Sequence, residues 1–241
     1  MKSYKITLLP GDGIGPEITS VTLKILNLVS KKFDFELKCK EMPFGGSAIE
    51  SEGIPFPYKT LQECKNSDAI LLAAIGDPKY DQLPREKRPE TGLLNLRSEL
   101  DLFANIRPVK IIPSLTKASS LKEEFVKEVD LVVVRELTSG IYFGEPKGRI
   151  KTDKGERAFN TMTYTSEEVK RIAEIAFKLA KQRNKKVCSV DKANVLDVSQ
   201  LWREETILVS NNFKEIELSH QYVDNAAMQL VRNPSQFDVI L

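Results

Sequence analysis

The sequence predicts an α/β fold built on a mostly parallel sheet, and three observations carry that expectation. Strand-like apolar runs and helical stretches alternate as β-α-β-α-β over residues 4–74. The alternation resumes after residue 165, where a helix opens with its own capping signal. Residues able to do chemistry stand just after several of the apolar runs, at the place where open α/β sheets bind ligands.

Residues 4–9 form a short apolar strand that enters "PGDGIGPE". A helix follows from about Pro16, with Ile18, Val21, Ile25 and Leu28 on one face. Pro16 is tolerated in a first helical turn, and Glu17 complements the helix dipole there. A second strand at 35–41 and a helical stretch near 59–65 precede a third strand at 69–74. "DPKYDQLPREKRPETG" reads as a long polar loop, a kind uncommon unless it serves a site. It opens a helix over 93–102. A strand through "ANIRPVKIIP" and a very apolar one in "VDLVVVRELTSGIYFGEPKG" come next, followed by a hairpin across 149–164. Thr165 and Glu168 make a capping box for a helix carrying Val169, Ile172, Ala176 and Leu179 at helical spacing. The remainder reads as strand 186–190, helix 196–209, strand 215–222, helix 225–231 and a terminal strand 236–241 that meets no turn signal. No internal repeat or linker-like Gly/Ser run occurs, and a break near Ala104 divides the chain into segments 1–103 and 104–241.

At 241 residues the chain has room for one large domain or two ordinary ones, and 41% hydrophobic content supports a substantial core. A net charge of +2 argues against a nucleic-acid binder driven by phosphate neutralisation. The densest basic cluster, 181–186, reads as the C-terminal end of a helix. The cysteines, Cys39, Cys64 and Cys188, are odd in number and far apart, so a reducing, cytoplasmic setting is expected. The longest apolar run, "AILLAAIG", is far too short to span a bilayer, and no membrane partner is expected.

Gly11-Asp12-Gly13-Ile14-Gly15 is G-x-G-x-G, which does not match the dinucleotide fingerprint G-x-G-x-x-G, and no Walker lysine follows. It reads equally as a tight turn or as bare backbone that approaches a ligand. Arg97 alone reads as a solvated helix face, whereas Arg107 amid "FANIRPV" needs an anionic partner if it is buried. Arg135 and Glu136 at the end of an apolar strand look like a site; Tyr142 in "SGIYFG" reads first as packing. Asp191 and Lys192 emerge together at a strand end with Asn194 just beyond, and burial there would lower a lysine into general-base range. Asp224 reads either as a helix N-cap or as a ligand, and the sole histidine, His220, as structural. With one His and unclustered Cys, any metal would be a hard cation on carboxylates, Mg2+ or Mn2+ rather than zinc. Several guanidinium groups argue for an anionic substrate with more than one carboxylate. Lys192, Tyr142 and an Asp-bound ion supply a base, an acid and a Lewis acid, a set suited to oxidising a hydroxyl and stabilising an enolate.

The motifs "LLPGDGIGPE", "ETGLLNLRSELDLFANIRP", "VVRELTSGIYFGEP", "DKANVL" and "YVDNAAMQLVRNPSQFDVI" resemble, in order and over the whole chain, those of the 3-isopropylmalate dehydrogenases, β-decarboxylating enzymes related to isocitrate dehydrogenase. The resemblance implies two α/β domains with a mixed, mostly parallel sheet of a kind that is not Rossmann. It implies NAD-dependent oxidation of 3-isopropylmalate and metal-assisted loss of carbon dioxide to give 2-oxoisocaproate, in leucine biosynthesis. On that basis Arg97, Arg107 and Arg135 resemble the clamps on the malate carboxylates, Tyr142 the acid that protonates the enol, and Lys192 the base on the hydroxyl, with Asn194 beside the substrate. Asp224 resembles one ligand of the Mg2+ or Mn2+ ion. Glu90, Leu93 and Leu94 match positions that recognise the isopropyl group, and Ile14, Gly76 and Glu90 border the nicotinamide end of NAD. The resemblance also implies a homodimer in which Lys192 and Asp224 reach the partner's site and the 149–164 hairpin joins the interface. The family continues beyond the position of the last strand with two more metal-binding aspartates and an adenosine-gripping loop. The first domain is therefore expected to be incomplete here and turnover by this chain alone weak. Another β-decarboxylating dehydrogenase, acting on tartrate, malate or homoisocitrate, and a non-catalytic dimeric fragment are the alternatives.

Overall fold

A computed structural model describes residues 2–241, and the chain divides into two units, Met1–Leu102 and Phe103–Leu241. The first unit runs β1 (Lys2–Gly11), α1 (Gly15–Lys32), β2 (Phe35–Glu41), α2 (Gly46–Glu52), α3 (Tyr58–Lys65), β3 (Ala69–Ala74) and α4 (Pro89–Glu99). Its sheet has the order β2-β1-β3 with both pairings parallel. β1 is central, and its residues from Thr7 to Gly11 are buried. Leu9, Met42, Phe44, Cys64 and Leu96 form the core of this unit.

One expectation needs correction here, the bounds of α4, and two others gain detail. Ile18, Val21, Ile25 and Leu28 do share a face of α1, but all four are exposed; the helix buries Gly15, Thr19 and Ser30 instead. Small side chains let this helix approach the sheet, and Thr19 returns its hydroxyl to the Gly15 carbonyl at 2.8 Å. α4 starts at Pro89, earlier than the periodicity suggested, because Pro at the first helical position lacks only an N–H that would be unpaired anyway. The preceding loop holds two 3-10 turns, Pro78–Tyr80 and Arg85–Lys87, and is tied by the Arg88 guanidinium to the carbonyls of Leu83 and Asp81.

The second unit runs β4 (Ala104–Lys110), α5 (Glu123–Val126), β5 (Asp130–Glu136), β6 (Gly148–Thr152), β7 (Gly155–Phe159), α6 (Ser166–Lys181), β8 (Lys186–Asp191), α7 (Asp197–Ser210), β9 (Glu217–Tyr222), α8 (Val223–Arg232) and β10 (Val239–Ile240). Its sheet has the order β4-β5-β10-β8-β9; β4 pairs antiparallel with β5 and every other pairing is parallel. β6 and β7 form a separate hairpin. The capping box at Thr165 is present, and α6 presses Val169, Ile172, Ala173, Ala176, Phe177 and Ala180, all buried, into this unit. Val132, Val134, Val187 and Val239 meet that helix from the sheet.

The terminal strand is shorter than expected, only Val239–Ile240, because Pro234–Gln236 forms a 3-10 turn first. It nevertheless lies mid-sheet, between β5 and β8. The basic cluster after α6 is more than a helix end. Arg183 bridges Asp130 at 2.6 Å and the buried Asp238 at 2.8 Å, joining the starts of β5 and β10. Asp224 is not an N-cap: Tyr222 holds that position and Asp224 lies in the first turn of α8, where a negative charge suits the dipole.

Candidate functional site

In the first unit the glycine loop is welded to β3. The Asp12 N–H donates to the Ala74 carbonyl at 2.8 Å, and Gly11 has φ +69°, where a Cβ would lie 2.0 Å from that same oxygen. Only glycine fits such a conformation at such a distance. Asp12 is buried and acts as a hub: its carboxylate accepts from the N–H groups of Gly46 (2.6 Å), Ser47 (3.2 Å) and Gly76 (2.9 Å). Gly76, with φ +99°, lies against Glu90, whose Oε1 would be 2.9 Å from a Cβ there. Ile14, at the start of α1, is exposed. Along α4, Leu93 packs against the core of the unit, Leu94 is half-buried, and Arg97 stands half-buried in the last turn.

In the second unit Asn105 lies directly opposite Arg135 in the β4–β5 ladder. Arg107, two residues on, shares their face, because side chains of one strand alternate. Arg107 is exposed, so the expected need for a buried anionic partner does not arise; its Nε donates to Asn105 Oδ1 at 2.5 Å. The two guanidinium groups thus project from one face of the sheet. Arg135 lies within β5 rather than beyond it, and its guanidinium carbon stands 5.6 Å from the centre of the Tyr142 ring. Tyr142 is about half exposed, at 49%, which removes the packing reading.

Two neighbouring cavities collect these groups. One, of about 460 Å3, is lined by Arg135, Glu136, Ser139, Tyr142 and Tyr164 among others. The other, of about 320 Å3, is lined by Asp191, Lys192, Leu196 and Ser199 among others. Tyr164, Val190, Trp202 and Val223 belong to both. Burial, and behind it the Glu136 charge, raises the Tyr164 phenol above its ordinary value.

Lys192 donates from Nζ to Asp224, and that bond is the largest cause of the Asp224 carboxyl being held below its ordinary value. Asp191, the buried last residue of β8, accepts two bonds from Arg203 (2.8 and 2.9 Å) and one from the Ala193 N–H at 3.0 Å. Asn194 is exposed in the turn that follows. Among the described residues no group of three or more His, Cys, Asp or Glu side chains is placed to hold a metal ion. Asp224 offers one exposed carboxylate, which does not by itself make a metal site. No described helix is long and apolar enough to cross a membrane.

The family model for isocitrate/isopropylmalate dehydrogenase matches residues 5–241. The chain belongs to the isocitrate/isopropylmalate dehydrogenase family. It is 91% identical to the 3-isopropylmalate dehydrogenase of Prochlorococcus marinus (strain NATL2A), over all of this chain and 67% of that protein. It is 59% identical to the enzyme of the same name from Synechococcus elongatus, over all of this chain and 66% of that protein. Among solved structures, isocitrate dehydrogenase from Methylococcus capsulatus superposes with a TM-score of 0.82 at 31% identity, covering 98% of this chain and 66% of the other. A β-decarboxylating dehydrogenase from Thermococcus kodakarensis gives 0.74 at 29% identity, covering 99% and 63%. The chain thus spans about two thirds of the length of its curated relatives.

In this dehydrogenase fold the second unit brings together Arg107 with Arg135, Arg135 with Tyr142, and Lys192 with Asp224; Ile14, Gly76, Glu90, Leu93, Leu94 and Arg97 belong to the first. Sequence reading passed over Asp12, Tyr164 and Arg203. An acidic residue enclosed by glycines at a strand end was the available signal for Asp12, since a turn alone has no need of a carboxylate. Tyr164 and Arg203 carry no local signal; only tertiary packing places them.

Proposed function

We propose that the chain provides the substrate-binding and proton-transfer groups of an NAD-dependent 3-isopropylmalate dehydrogenase, which oxidises and decarboxylates 3-isopropylmalate to 2-oxoisocaproate. The observation that carries the reading is the meeting of Arg135 and Tyr142 in one cavity. Family membership and the names of the relatives support it. Arg107 and Arg135, on one face, suit bidentate capture of a carboxylate, and Arg97 completes the proposed set. Lys192 accepts the proton of the 2-hydroxyl, directly or through water. Bound NAD would supply the hydride acceptor, and Ile14, Gly76 and Glu90 would hold its nicotinamide end; the positive-φ Gly76 and the exposed Ile14 suit such a role. Tyr142 returns a proton to the enol carbon after carbon dioxide leaves, and its half-exposed ring suits that role. Leu93 and Leu94 would face the branched alkyl group, and Asn194 would stand beside the substrate. The divalent cation of the family, Mg2+ or Mn2+, would take Asp224 as one ligand and would supply a Lewis acid for the carbonyl that forms.

We propose further that the chain pairs with a second copy, with Lys192 and Asp224 serving the partner's site. Exposed Ile207 and Leu208 on α7, and Met228 and Val231 on α8, support such a surface. A cytoplasmic setting is consistent with three free cysteines. Calorimetric titration with 3-isopropylmalate, malate, tartrate and homoisocitrate tests the substrate assignment. Tightest binding is expected for 3-isopropylmalate, and tighter binding of homoisocitrate or tartrate would overturn it.

A further inference from the structure

We infer that Glu136 is a positioning residue, whose buried carboxylate sets the turn that presents Tyr142 beside Arg135. The inference rests on the roles proposed above for those two residues. Arg135 and Glu136 are consecutive in β5, so the pleat sends their side chains to opposite faces. Arg135 is exposed, while Glu136 retains 6% of its surface. Glu136 Oε1 accepts from the Thr138 N–H at 2.9 Å and from the Thr138 hydroxyl at 2.7 Å; Oε2 accepts from the Ser139 N–H at 2.9 Å. A strand-end carboxylate that takes two N–H groups of the following loop fixes the direction in which the chain leaves the sheet. Bonds of this charge-assisted kind are about twice as strong as neutral ones.

The turn so held continues as the 3-10 segment Gly140–Tyr142. The Gly140 N–H donates to the Thr163 carbonyl at 2.9 Å, and with φ +73° a Cβ at Gly140 would lie 2.5 Å from the Tyr164 hydroxyl. The turn is therefore pinned from both sides before the chain reaches Tyr142. A second layer supports the first. Arg171 donates to the Thr138 hydroxyl at 2.6 Å and stands 3.9 Å from Glu136 Oε1. Ser139 donates to Glu168 Oε1 at 2.9 Å, and Glu168 closes the capping box of α6. Both oxygens of Glu136 are engaged by its own chain, so it acts through Arg135 and Tyr142 rather than on substrate. Glutamine in its place would aim an NH2 at donors already waiting there, and a buried unsatisfied donor costs more than a lost bond.

The test uses the full chain with its six tyrosines replaced by 3-fluorotyrosine, the Tyr142 signal being assigned from Tyr142→Phe. Glu136→Gln is expected to shift or broaden the Tyr142 fluorine signal while leaving those of Tyr4, Tyr58 and Tyr80, in the first unit, unchanged. Affinity for 3-isopropylmalate should fall about tenfold. Thr138→Val, which removes the hydroxyl's bond to the carboxylate together with the bond it accepts from Arg171 but leaves both backbone N–H bonds, should move the same signal less, and Thr138→Ser, which keeps the hydroxyl, should restore it. Thr138→Val also decides the matter if Glu136→Gln does not fold. An unchanged Tyr142 signal in whichever of the two variants folds would overturn the inference. Absence of binding by the unsubstituted chain would count against the functional reading alone, since the fluorine signal would still decide the positioning role.

Discussion

Asp12, Glu136 and Asp191 are buried carboxylates at the carboxyl ends of β1, β5 and β8, each accepting N–H groups from the loop beyond its own strand or a neighbouring one. Gly13, Arg135 and Lys192 stand beside them in the chain, one next to each carboxylate. Sequence reading found the outward members of the last two pairs, because a cation at a strand end has no place in a core. It could not show that their acidic neighbours spend their charge on backbone, since that depends on where the loops fold back. His220 illustrates the same limit. It reads as structural, yet its Nδ1 is buried without a hydrogen-bond partner. Burial, and behind it the Arg203 charge, holds its imidazole below the ordinary 6.5, with Asp191 opposing. Folding therefore disfavours the protonated ring: the contribution to stability is whole above 6.5 and is lost as the pH falls from there through the folded value. His220→Gln is expected to flatten that part of the decline in urea midpoint below pH 6.5. An identical pH profile for the variant would contradict this assignment.

At the scale of elements, α6 and α1 show when periodicity informs and when it misleads. Both carry apolar residues at helical spacing, but α6 buries Val169, Ile172 and Ala176 completely while α1 leaves Ile18, Val21, Ile25 and Leu28 open. Spacing shows that a face exists; only packing shows what covers it. The capping box at Thr165 was legible because it is wholly local, and so was the start of α1 near Pro16. The end of β8 was misjudged by one residue because Asp191 is charged, although its carboxylate is satisfied within the fold. Ile172, 0% exposed within the core of the second unit, gives a direct check on the α6 packing. Ile172→Ala should cost about 2–5 kcal/mol of unfolding free energy in a urea titration. A loss below about 1 kcal/mol, on the order of an exposed substitution, would mean that the helix does not sit where described.

At the scale of the whole molecule, the α/β class and the mostly parallel sheets were legible from the alternation of elements, and the family from five motifs in order. The antiparallel pairing of β4 and the central place of the two-residue β10 were not, because both depend on pairings between distant segments. The proposed chemistry rests on Arg107, Arg135, Tyr142 and Lys192 of the second unit. It stands or falls on whether guanidinium groups of this chain hold the malate carboxylates of 3-isopropylmalate. The decisive measurement is calorimetric titration of that ligand into the chain and into Arg135→Gln. Measurable binding is expected, weakened at least about tenfold, or ~1.4 kcal/mol, in the variant. Equal affinity in the two chains would refute the proposed clamp.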